Sequence, residues 1–153
     1  MSWISITEAD LLVVISGPEL KGLRKAALGR SQVDPVAPAI ENTVLEVRGY
    51  VANCARNQSD ADDTKIPPEL KNAALDLIII DVMKRAGGTM IDPKSARAEA
   101  ARAATKLLER TADCKFTVSQ PSGTIDTDMQ SGSSASVVKK HEGKLSSSNT
   151  DGL

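Results

Sequence analysis

Few residues in this chain have a type and spacing that could carry chemistry, and each has a plainer use. His141 is the only histidine and sits in a polar C-terminal stretch, with no second ligand or nucleophile spaced to work with it. Cys54 and Cys114 are the only cysteines. A pair is not a disulfide framework, and nothing at the start, MSWISITEAD, resembles a secretory leader, so two ordinary thiols in a reducing compartment are expected. Asp60, Asp62 and Asp63 suggest a calcium loop, but the turn glycine and the closing bidentate glutamate of an EF-hand are missing. Asp76 and Asp81 are five residues apart and face differently on a helix, which argues against paired acid–base work. Gly87-Gly88-Thr89 lacks the Lys-Ser/Thr of a phosphate loop and reads as a helix terminator. Arg102, Lys106 and Arg110 recur every fourth residue and form a basic stripe. That stripe can be a solvated face, or it can meet nucleic acid or an acidic partner. No catalytic, metal-ligating or cofactor-binding residue emerges, and an enzyme is not expected.

The elements that carry these residues follow from the pattern of apolar positions. Aromatic residues make up 2% of the 153 positions, so the core must come from Ala, Val, Ile and Leu, and close helix–helix contact must supply the buried area. A net charge of −1 gives no general attraction to nucleic acid or to a membrane surface. The longest apolar run, Leu77 to Ile80, falls far short of the about 18–20 residues that cross a bilayer.

Thr7-Glu8-Ala9-Asp10 opens a helix that carries Leu11, Leu12 and Ile15, with Trp3 and Ile4 placed to staple onto it. Pro18 to Leu28 forms a second short helix that Gly29 would end in the left-handed conformation. Asp34-Pro35 starts a long amphipathic helix to Arg56, with Val36, Ile40, Val44, Val47, Val51 and Cys54 on one stripe. Gly49 interrupts it and suggests the close approach of another backbone. Pro67-Pro68 sets up the most apolar stretch, to Arg85, which is apolar nearly all round and is the expected centre of the fold. Its Asp76 and Asp81 would find Arg48 or Arg56. Asp92-Pro93 begins an Ala-rich last helix to about Thr111.

The expected fold is all-α: a small bundle of four to five helices over residues 1–113, then an extended polar arm over 114–153. Lys115 to Val118 can be a short strand. Ser119 to Leu153 is rich in Ser, Gly, Thr and Asp and cannot bury enough apolar surface alone to offset its ordering entropy. Phe116, Val118, Ile125, Met129, Val137 and Val138 are the side chains through which such an arm would contact partner subunits.

The order of these elements resembles the head–tail adaptor (head-completion, connector) proteins of tailed bacteriophages, including the Mu-like type. The resemblance rests on a T-x-x-D-L helix start, here Thr7, Asp10 and Leu11, and on a P-x-x-L-K-x-x-x-x-D-apolar helix, here Pro67, Leu70, Lys71 and Asp76. It covers about residues 5 to 111. Cys54-Ala55-Arg56-Asn57 stands where the family often has aromatics and an Arg-Tyr pair, and the Ala-rich last helix and polar tail also depart from the pattern.

The resemblance implies a structural virion protein at the head–tail junction, assembled in the host cytoplasm without cofactors. It implies a homo-oligomeric ring, dodecameric in that family, beneath the portal protein. The ring would pass genomic DNA without sequence specificity and dock the next neck or tail-completion protein; no membrane is involved. Arg102, Lys106 and Arg110 would then face the DNA channel or an acidic partner. The alternative is a small helical DNA-binding or regulatory protein using the same stripe.

Overall fold

The spacing of Val36, Val44, Val47 and Val51 produces the longest helix and puts all four side chains in the core. A computed structural model describes residues 2–29, 33–87 and 91–122. In chain order they form β1 (Ile4–Ser5), α1 (Glu8–Leu11), α2 (Gly17–Leu28), α3 (Val36–Asn53), β2 (Lys65–Ile66), a 3₁₀ turn (Pro68–Leu70), α4 (Lys71–Arg85) and α5 (Ala96–Ala112). The fold is all-α, as the sequence predicts. The one sheet among the described residues is the antiparallel pair β1–β2, with Ile4 opposite Ile66.

Helix α4 is the centre. It packs on both α3 and α5, which also touch each other, and α1 and α2 lie against it. Ala73, Ala74, Leu75, Ile78, Ile79, Ile80 and Val82 are all buried, so the helix is covered on nearly every side. The small residues of α5, with Ala104 buried, allow this close approach. Gly87, at φ 78°, ends α4 in the left-handed region that glycine enters without penalty.

Four local expectations change. Helix α1 stops at Leu11, and Leu12, Val13 and Val14 continue as exposed turns rather than as helix. Gly29 ends α2 at φ −63°, in the ordinary right-handed region. Gly49 faces open space among the described residues, with no backbone of theirs close to it. Lys115 to Val118 forms no strand, because its backbone bonds back to α5: the Lys115 and Phe116 N–H groups both donate to the Arg110 carbonyl, at 2.8 and 3.1 Å.

Candidate interaction surfaces

The charged side chains that pair across elements tie those elements together rather than converge on a site. The Asp10 carboxylate accepts from the N–H and hydroxyl of Thr7, each at 2.8 Å, and from Lys71 Nζ at 2.6 Å, which fixes α1 to α4. With the Lys71 ammonium and both Thr7 donors on it, that carboxyl is held down at about 2. Arg24 grips Glu8 with two 2.7 Å bonds and reaches Asp34 at 3.0 Å, tying α2 to both its neighbours in sequence. Arg97 of α5 forms a two-pronged pair with Glu19 of α2. The guanidinium partners hold the Glu8 and Glu19 carboxyls below the usual range.

The acidic loop after α3 is built on a cation from that helix. Arg48 donates to the carbonyls of Asp60, Asp62 and Lys65 at 2.8–2.9 Å, while its guanidinium lies 5.5 Å from the centre of the Trp3 ring. Arg48 is therefore not the partner of Asp76 or Asp81. Asp81 pairs with Arg85 one turn along α4, at 2.8 Å. Asp76 has no hydrogen-bond or ion-pair partner among the described residues, and partial burial raises its pKa. The Asp60 and Asp62 carboxylates cap backbone N–H groups two residues on. Among the described residues no cluster of His, Cys, Asp and Glu is arranged to hold a metal ion.

The basic stripe lies where its spacing puts it. Arg102, Lys106 and Arg110 are all exposed on α5, and buried Ala104, Leu108 and Thr111 mark the opposite, core-facing side. The face is mixed in charge: Glu99 and Glu109 share it, and Arg102 donates to the Pro93 carbonyl at 2.7 Å. Lys106 and Arg110 make no side-chain hydrogen bond or ion pair among the described residues.

Two apolar features are also uncovered. One is the turn Leu12-Val13-Val14, with Val13 83% exposed. The other is a groove of about 350 Å³ between β1 and α3, lined by Ile6, Ile40, Val44 and Leu45 and edged by Glu41 and Asp63. Leu45 is 61% exposed there. The α5 stripe is legible from spacing alone. The groove is not, because it is assembled from three separate stretches of chain.

The segment after α5 departs most from expectation. Cys54 and Cys114 are joined by a disulfide, with Cα atoms 5.3 Å apart, and are not free thiols. The bond forms because Cys114 turns into the left-handed region (φ 58°) just past α5 and brings the chain back to the end of α3. The chain then follows the end of the bundle. Val118 is 3% exposed within this chain's own core, with Phe116 packed beside it. Trp3 Nε1 donates to the Ser119 carbonyl at 2.8 Å, the Ser119 hydroxyl bonds Glu69, and Gln120 accepts from the Gln58 N–H at 2.9 Å. Val118 therefore serves this domain's core, Phe116 is half-buried against it, and packed residues continue past Asp113. Ile125, Met129, Val137, Val138 and His141 lie outside the described residues. Comparison with protein-family models, with curated proteins and with solved structures finds no match to this chain.

Proposed function

We propose that this protein is a structural head–tail adaptor of a tailed bacteriophage. Copies form a ring beneath the portal, DNA passes through it, and the next neck or tail protein docks on it. The observation that carries the reading is the uncovered aliphatic surface. Leu12, Val13, Val14, Leu28, Val33 and Leu45 are all exposed on this small domain, the first three consecutive in the chain. An exposed apolar run such as Leu12 to Val14 marks a place where another protein sits. The exposed stripe Arg102, Lys106 and Arg110 supports a sequence-independent contact with phosphates, and it is balanced enough by Glu99 and Glu109 to let DNA slide.

The test is the particle mass and image of the purified protein mixed with a portal ring. The expected result is a closed ring of copies seated on the portal. A protein that stays monomeric both alone and with the portal overturns the reading. If the monomer instead bound duplex DNA with an affinity that fell steeply with salt, and lost it when Lys106 and Arg110 were neutralised, the DNA-binding alternative would replace it.

A further inference from the structure

The Val13 turn is a preformed apolar knob. Leu11 and Ile15, both buried, anchor it from either side. Its N–H groups bond internally: the Val13 N–H donates to the Asp10 carbonyl at 3.2 Å, and the Val14 and Ile15 N–H groups donate to the Leu11 carbonyl at 3.0 and 2.9 Å. It can therefore enter an apolar site without stranding these donors. The groove of Ile6, Ile40, Val44 and Leu45 is an apolar concavity on the same molecule, and no residue of the turn lines it.

Resting on the ring reading above, we propose that the Val13 turn of one copy seats in the Ile6–Leu45 groove of the next. A knob and a socket made of different residues join copies head to tail, the kind of contact that closes a ring; a two-fold dimer would need one self-complementary patch. Charge supports a second copy as the occupant. Exposed Lys21 and Lys25 follow the knob on α2, and exposed Glu41 and Asp63 edge the groove. None of the four makes an ion pair among the described residues. A contact made by one three-residue knob is weak singly and gains persistence when the ring closes.

The experiment uses Val13→Asp and Leu45→Glu, both at exposed positions, with circular dichroism melts to show that each variant folds like wild type. Sedimentation and amide-shift titrations to about 1 mM then read self-association. Wild type is expected to associate beyond the dimer, and each variant alone to lose about tenfold or more of that affinity. Their equimolar mixture should give a heterodimer and nothing larger, because it retains one intact knob and one intact groove. Variants that associate like wild type overturn the proposal. So does a mixture that fails to pair, or a wild type with no concentration-dependent shift at Val13 and Leu45. If the groove instead holds residues 123–153 of its own chain, Leu45→Glu will expose that segment to protease without changing the particle mass, which also overturns it. Rings that form on the portal equally well with both variants overturn this interface and leave the ring reading intact. A wild type that forms no ring there overturns the ring reading itself.

Discussion

At the residue scale, the most consequential side chains are polar ones that serve the backbone. Arg48 satisfies three carbonyls of the 60–65 loop and covers Trp3. Arg48→Met keeps the stem and removes the donors. It should lower stability by about 2–3 kcal/mol in urea titrations and expose the 60–65 amides to exchange. Arg48→Lys should recover little, since an ammonium cannot span three acceptors as a planar guanidinium does. The Asp10 carboxyl gives a pH prediction of definite sign. It is held down at about 2 in the folded chain, chiefly by Lys71, whereas an unfolded aspartate titrates near about 3.9. Its contribution is therefore complete above about pH 4 and is lost as pH falls towards 2. Because both partners are partly exposed, the effect is at most about 1 kcal/mol. The stability gap between wild type and Asp10→Asn, followed by urea titration from pH 6 downward, should narrow across that window and be flat above it.

At the element scale, helix starts written as proline or cap signals were legible. Pro18, Asp34-Pro35 and Pro67-Pro68 each begin an element within a residue or two of where they should, whereas α5 begins at Ala96, capped by Ser95, three residues past Asp92-Pro93. Their physics is local, and tertiary packing had nothing to override. Helix α1 failed because the capping of Thr7 by Asp10 holds one turn, and Leu12 to Val14 then have no core to face. The Cys54–Cys114 bond was not legible, since two cysteines 60 residues apart carry no local signal of proximity. It links the end of α3 to the residue that leaves α5, so it limits how far the unfolded chain can expand. Replacing both cysteines by serine should cost about 2–4 kcal/mol under oxidising conditions. Reductant should lower wild type to the level of the double variant and leave the variant unchanged. In a reducing cytoplasm the same protein carries two thiols and gains this margin only when it reaches oxidising surroundings.

At the scale of the whole molecule, the point at issue is where the domain ends. Composition places the boundary at Asp113, because polarity rises there and helical periodicity stops. The packing places it later, since the chain from Cys114 to Pro121 is held by contacts that leave little trace in a hydropathy pattern: one buried valine, one disulfide, and hydrogen bonds such as that from Trp3 to the Ser119 carbonyl. Two truncations separate these boundaries. Ending the chain at Ser122 preserves every one of those contacts and should leave the thermal midpoint and urea stability within about 1 kcal/mol of the full chain. Ending it at Asp113 removes the disulfide, the burial of Val118 and the partner of Trp3 Nε1. The loss should be about 3.5–7 kcal/mol, from roughly 2–4 for the bond and 1.5–3 for the valine, a large part of the stability of a domain this size. Equal stability of the two truncated proteins would show that residues 114–122 belong to the arm after all. A collapse of the Ser122 truncation would show that the domain draws on residues beyond it.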